Sequence, residues 1–279
     1  MTVDAHHHVW DLVVRDQDWI RGPHLAALRR DFTLAEMEPQ ARAAGVERTV
    51  LVQTVAVPEE TPELLALAAG HGLVAAVVGW TDLTHPGVAD ALARLRALPG
   101  GHLLKGVRHQ VQAEPDPEWL LRPDVLRGLA AVADAGLVYD LVVLPHQLPA
   151  CARAAALLPR LTFVLDHLGK PPVASGAREP WAARLRSLAA LPNTVAKLSG
   201  LVTEAARATW TTDDLRPYAD TALDAFGPGR LMFGSDWPVC TPAASYAEVR
   251  HLAQELCAGL GPAERTALFE STATRVYGL

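Results

Sequence analysis

The chain has 279 residues, half of them apolar and a fifth charged, a composition that excludes disordered, fibrous and collagen-like classes. Its formal net charge of −6, without a basic stripe, argues against nucleic acid as a partner. Three cysteines in no CxxC spacing argue against a thiolate zinc site and for a reducing compartment.

The N-terminus carries neither the positive nor the apolar segment of a leader. The longest apolar runs, such as 73–80, fall short of the ~20 residues that a bilayer span needs. The expectation is a soluble, cytoplasmic protein, monomeric or homodimeric, with a small-molecule substrate and no membrane partner.

Along the chain, short Val- and Leu-rich runs alternate with Ala/Leu/Arg segments of helical period. The runs predict strands at 3–9, 49–54, 73–79, 103–109, 137–143, 161–166, 194–199 and 231–235. They are apolar throughout rather than alternating, as in parallel strands covered on both faces. Helix boundaries fall between them. Thr33 with Glu36 forms a capping box and Gly45 a stop, Thr61 precedes Pro62 in a first turn, Gly70 ends that helix, and Ser245 with Glu248 forms a second box. Segments 86–98, 124–135, 147–158, 180–191, 213–225 and 262–276 complete the helices. Eight strand–helix units predict a parallel sheet closed into an α/β fold of the (β/α)8, or TIM-barrel, type, with 1–279 as a single domain. No GxGxxG follows the first strand, so no dinucleotide or other organic cofactor is expected.

In such a barrel, chemistry sits at the C-terminal ends of the strands. The first strand ends in Asp4-Ala5-His6-His7-His8-Val9-Trp10. Residues two apart share a face, so His6 and His8 point together into the mouth, where paired neutral imidazoles suit a divalent metal. A tag remnant or chance run is the plain alternative, and the apolar strand around the histidines weighs against it. The eighth strand ends in Phe233-Gly234-Ser235-Asp236-Trp237-Pro238. Barrel closure makes it a neighbour of the first, which brings Asp236 to His6 and His8; a loop or capping carboxylate is the alternative. The sixth ends in Asp166-His167-Leu168-Gly169-Lys170-Pro171, with His167 facing the mouth or satisfied structurally by Asp166 or a backbone carbonyl.

The fourth strand, Leu104-Lys105-Gly106-Val107-Arg108-His109, turns either Gly106 and Arg108 or Lys105, Val107 and His109 inward. Arg108 suits a substrate carboxylate or hydroxyls, and His109 a proton shuttle. Lys105 is a deeper substrate contact or a buried partner of Asp140, for which Lys197 is the other candidate. Trp10, Trp19, Trp80 and Trp237 lie at or near strand ends as candidate walls for a sugar ring, Trp80 and Trp237 foremost, with ordinary packing as the alternative. The GxSxG elbow of a serine hydrolase is absent.

Six segments in order carry a resemblance: Asp4-Ala5-His6-x-His8-x-Trp10-Asp11, Gly79-Trp80-x-Asp82-Leu83, Lys105 to His109, Asp166 to Pro171, Lys197-Leu198-Ser199-Gly200 and Gly234 to Pro238. The chain resembles the amidohydrolase 2 branch of the amidohydrolase superfamily, metal-dependent TIM-barrel hydrolases that include sugar lactonases acting on L-fucono- and L-rhamnonolactone. The resemblance implies a metal set of His6, His8, His167 and Asp236. It implies Asp236, His167 and His109 as catalytic groups, and Arg108, Trp80, Trp237 and Lys105 as substrate contacts. One departure stands out: the fifth strand, Val138-Tyr139-Asp140-Leu141-Val142-Val143, lacks the family's metal-ligating histidine, and His146 lies beyond it. The resemblance therefore implies a single divalent ion, zinc foremost, rather than a binuclear centre. The expected reaction is Asp-assisted attack of water on a sugar-acid lactone. The alternatives are a metal-dependent non-oxidative decarboxylase, disfavoured by the missing histidine, and an inactive sugar-acid-binding relative.

Overall fold

In a computed structural model describing residues 1–279, the elements run β1 (Val3–His7), α1 (Leu34–Ala43), β2 (Arg48–Val52), α2 (Glu60–Ala69), β3 (Val74–Gly79), α3 (Val88–Ala97), β4 (Leu104–His109), α4 (Pro123–Asp134), β5 (Val138–Leu141), α5 (Leu148–Leu157), β6 (Phe163–Leu165), α6 (Trp181–Ala189), β7 (Thr194–Leu198), α7 (Leu201–Glu204), α8 (Thr212–Phe226), β8 (Leu231–Phe233), α9 (Tyr246–Leu256), α10 (Pro262–Thr266) and α11 (Thr272–Tyr277). The eight strands are parallel and ordered β1 to β8, a (β/α)8 barrel. No helix is long and apolar enough to cross a membrane.

Strands β1, β2, β5, β6, β7 and β8 end one or two residues before their apolar runs do, because the last residues of each run already turn into the loops of the mouth. The α1 and α9 caps form as patterned. Thr33 Oγ1 accepts from Glu36 N, although the Glu36 carboxylate turns to Arg30; Ser245 and Glu248 form both halves of their box. Thr61 and Pro62 fall in the first turn of α2, which starts at Glu60, and the Thr61 hydroxyl accepts from Trp80 N and donates to Trp80 O, tying α2 to the end of β3. The last predicted helix is interrupted by a π turn at Ala267–Ser271.

Small and branched side chains fill the barrel, among them Ala5, Val52, Val78, Val164, Val195 and Met232, and Ala273 with Tyr277 from α11 plugs its lower end. Gly106 leaves the room that β4 needs there; a Cβ would stand 3.0 Å from Val138 Cγ2. Inward-facing parity on β1 is odd at Val3 and Ala5. Between Asp4 and His7 the strand advances three residues while β2 advances two, from Thr49 to Leu51. This bulge shifts the inward parity to His6 and His8. His7 faces outward and meets Thr49 Oγ1 at 2.9 Å.

Asp4 holds the bulge. Its Oδ1 accepts from His6 N at 3.0 Å and Ser235 N at 2.8 Å, and its Oδ2 accepts from Tyr246 Oη at 2.9 Å, all fully buried. The same seam is closed by Asp236 N donating to His6 O at 2.8 Å and His8 N donating to Trp237 O at 2.7 Å. Replacing Asp4 by Ala leaves three buried donors without partners, at a cost of about 3 kcal/mol or more. Urea unfolding should show that loss for Asp4→Ala and less than about half of it for Asp4→Asn, which keeps the acceptor. Equal stability of all three proteins contradicts this role.

Candidate active site

The functional side chains sit at or just beyond the C-terminal ends of strands. His6 lies within the β1 bulge and His8 just after the strand. Gly234 makes room for them, since a Cβ there would lie 2.8 Å from His6 Cβ. Asp236 has φ +58, a left-handed conformation that a short polar side chain tolerates. His167 opens a run of four positive-φ residues, His167, Leu168, Gly169 and Lys170. This left-handed turn is pinned by Lys170 N to His167 O at 2.9 Å and by the Trp181 indole donating to Leu168 O at 2.8 Å. It aims His167 and Lys170, three residues apart, at the same cleft.

The imidazoles surround one carboxylate oxygen. Asp236 Oδ1 stands 3.8 Å from His6 Nε2, 3.7 Å from His8 Nε2 and 3.8 Å from His167 Nε2. These spacings are too long for hydrogen bonds. His6 Nε2 and His8 Nε2 are 3.1 Å apart. His8 Nδ1 donates to the Val52 carbonyl at 2.8 Å, which turns its Nε2 to the cluster. His167 Nδ1 meets Ser199 Oγ at 2.9 Å. Burial holds the His6 imidazolium well below its ordinary range and lowers His167 to about 4, so both rings are neutral at pH 7. Burial works against the Asp236 anion as well, but the neighbouring His167, His8 and Lys170 outweigh it and keep the carboxyl below the usual range. One ionised carboxylate thus faces the neutral rings of His6 and His167, with His8 beside them.

Beneath this cluster lies a second, wholly buried layer. Lys197 Nζ is 2.5 Å from Asp140 Oδ2, 2.9 Å from Asp166 Oδ1 and 3.0 Å from His6 Nδ1. Tyr277, from the plug, donates to Asp140 at 2.9 Å. Of the two pairings open to Asp140, the structure takes Lys197; Lys105 is half-buried and forms no ion pair. Burial raises Asp140 to about 6 against the pull of Lys197, whereas Asp166 is held well below its ordinary range because Lys197, His6 and Arg108 together overcome its burial. Arg108 Nη1 donates to Asp166 Oδ2 at 3.0 Å and Nη2 to the Gln53 backbone carbonyl.

Above the cluster opens a narrow cleft with a cavity volume of about 100 Å³. Arg108, His167 and Asp236 line its floor, and Gln110, Gln112, Lys170 and Glu204 its walls. Several residues singled out in the sequence lie elsewhere. His109 has the opposite parity to Arg108 and stacks on Trp119, with centroids 4.3 Å apart. Its Nδ1 accepts from Trp80 Nε1 at 3.0 Å and its Nε2 meets Glu114 at 2.7 Å. Trp237 is buried edge-on to Phe32, Lys105 sits near the start of β4, and His146 is exposed. Glu204, Gln110 and Gln112 went unmarked in the sequence: Gln110 directly follows β4, and Gln112 and Glu204 lie on short helical turns beyond β4 and β7.

The sequence profile of the amidohydrolase family (Amidohydro_2) matches residues 3–279, and the chain belongs to that family. Among its relatives, an L-fucono-1,5-lactonase of Burkholderia multivorans is 43% identical over 100% of this chain and 96% of its own length, and one of Burkholderia ambifaria is 39% identical over 99% and 94%. A crystal structure of a Burkholderia multivorans amidohydrolase with bound zinc superimposes with a TM-score of 0.93 at 42% identity, covering 100% of this chain and 99% of that one.

Lys197 is the cation shared by two buried carboxylates, so Lys197→Met should cost about 3–5 kcal/mol in urea unfolding at pH 7. Lys105→Met, with no partner to strand, should change stability by about 0.5 kcal/mol or less. The reverse order would contradict the burial assigned to the two lysines.

Proposed function

We propose that this chain, as one catalytic domain, hydrolyses the ring ester of a sugar-acid lactone, with L-fucono-1,5-lactone the first substrate to try. The observation that carries this reading is the placement of Asp236: an ionised, buried carboxylate at the floor of a polar cleft, ringed by three imidazole nitrogens at 3.7–3.8 Å. The full-length similarity to L-fucono-1,5-lactonases supports the substrate class.

Asp236 accepts a proton from water as the water oxygen bonds to the lactone carbonyl carbon. The resulting oxyanion is met by donors this chain supplies on the cleft floor, the Arg108 guanidinium and the imidazole N–H groups. Collapse breaks the bond from the carbonyl carbon to the ring oxygen, and the proton held on Asp236 passes to the departing alkoxide. The products are a hydroxyl group and a carboxylate. His109, Trp80, Trp237 and Lys105 do not line this cleft, and the reaction drawn here needs none of them.

The donor set also fits a divalent cation, a single zinc above others. Two donors each about 2.1 Å from one ion stand about 3.4 Å apart in a tetrahedral set; the observed spacings to Asp236 and between His6 and His8 run from 3.1 to 3.8 Å. His6, His167 and Asp236 each offer one donor atom within 4.8 Å of the others. Asp166 Oδ1 lies 3.3 Å and Lys197 Nζ 3.0 Å from His6 Nδ1, and these two buried partners orient the ring whose Nε2 faces the cluster. A cation held by His6, His8, His167 and Asp236 would polarise the lactone carbonyl and acidify water.

Asp236→Asn should lower kcat for lactone opening by about 10³-fold in a pH-indicator assay, while thermal unfolding shows the fold retained. Turnover near wild type in that variant contradicts the assignment. Elemental analysis of the purified protein should find about one zinc per chain, reduced tenfold or so in His8→Ala. A chain free of metal even after zinc is supplied removes the cation from the account and leaves the protein's own donors.

A further inference from the structure

The cations around the cleft are almost all spoken for. Arg108 is 4% exposed; one nitrogen of its fork is bound by Asp166 at 3.0 Å and the other by the Gln53 carbonyl, with Gln53 Oε1 at 3.4 Å. Lys197 is wholly buried between Asp140 and Asp166. Lys170 alone reaches the wall of the cleft, and it faces Glu204 at 3.9 Å, the two side chains being 22% and 27% exposed. With Arg108 paired to buried Asp166, Lys170 is the cation of the lining that faces Asp236 and Glu204. The remaining polar groups on the walls, such as Gln110, Gln112 and Thr203, are neutral.

At 3.9 Å the Lys170–Glu204 pair is an electrostatic contact without a direct hydrogen bond, so the ammonium keeps protons to donate and the carboxylate keeps lone pairs to accept. A hydroxyl group, which both donates and accepts, can bridge the two without disturbing their attraction. An anionic substituent cannot. It must either lie against Glu204 or prise Lys170 from it, in a half-buried setting where like charges brought together cost several kcal/mol. We propose that Lys170 and Glu204 form a specificity element that selects lactones whose ring substituents are uncharged hydroxyls and rejects lactones carrying a second, ionised acid group. The inference rests on the lactonase reading above. It assigns the pair to substrate choice, and the reacting atoms are left to Asp236.

The matched probes are L-galactono-1,4-lactone and the corresponding galactaro-1,4-lactone, which differ only in a hydroxymethyl group against a carboxylate at C6. The wild-type protein should prefer the uncharged lactone by about 100-fold or more in kcat/KM. Glu204→Gln should narrow that ratio by about tenfold, through KM rather than kcat, with the charged lactone gaining and the neutral one losing. Calorimetric titration of both lactones into the Asp236→Asn protein reads the same preference without turnover. The proposal is overturned if the charged lactone is used within about threefold of the neutral one, or if Glu204→Gln leaves the ratio unchanged. If neither lactone is opened but the binding preference and its dependence on Glu204 appear, the lactonase reading falls and the charge selection stands. Absence of that preference in binding overturns the selection as well.

Discussion

The seam between β1 and the segment after β8 is the constraint on which the rest of the site depends. Eight parallel strands can close in several registers, and only one brings Asp236 among the histidines. That register is held by two backbone hydrogen bonds, Asp236 N to His6 O and His8 N to Trp237 O, and by the buried Asp4 carboxylate that spans both strands. The bulge that Asp4 stabilises is also what turns His6 and His8 inward. Removing one residue's worth of slack from β1 would carry both imidazoles to the helix-facing side, where His7 now lies.

Burying so many ionisable groups is tolerable because the charges are matched in layers. Lys197 sits between Asp140 and Asp166, Tyr277 caps Asp140 from below, and Arg108 takes the remaining oxygen of Asp166. Isolated, each of these groups would be neutralised or expelled by the low-dielectric interior. Together they form a rigid floor against which His6 is oriented. The three imidazoles above ring Asp236, the anion they enclose. Left-handed backbone at Asp236 and through the 167–170 turn belongs to the same design: strained conformations persist where surrounding hydrogen bonds over-determine them.

Much of this was legible in the sequence, for definite reasons. Eight apolar runs separated by helical segments leave little choice but a parallel barrel, and polar residues interrupting those runs at their ends mark the mouth. The HxH spacing placed His6 and His8 on one face because the bulge precedes them. What the pattern could not resolve was local geometry. Arg108 and His109 are adjacent, and which of them faces inward depends on what each packs against; the stack of His109 on Trp119 decides it. Thr61 and Pro62 read as first-turn residues, but the hold of the Thr61 hydroxyl on the Trp80 backbone is a contact between elements distant in sequence. Glu204 follows β7 on a single turn after Gly200, and nothing in its surroundings in the chain distinguishes it from a surface glutamate.

The central claim is that the Asp236 cluster opens the ring ester of a sugar-acid lactone. Its most direct test is the initial rate of acid release from L-fucono-1,5-lactone with the purified wild-type chain, set against spontaneous opening at the same pH. The account predicts kcat/KM of about 10⁴ M⁻¹s⁻¹ or higher, in the ordinary range of enzymes acting on their own substrates. A rate indistinguishable from the spontaneous reaction, for this lactone and for other aldonolactones of either ring size, would contradict it.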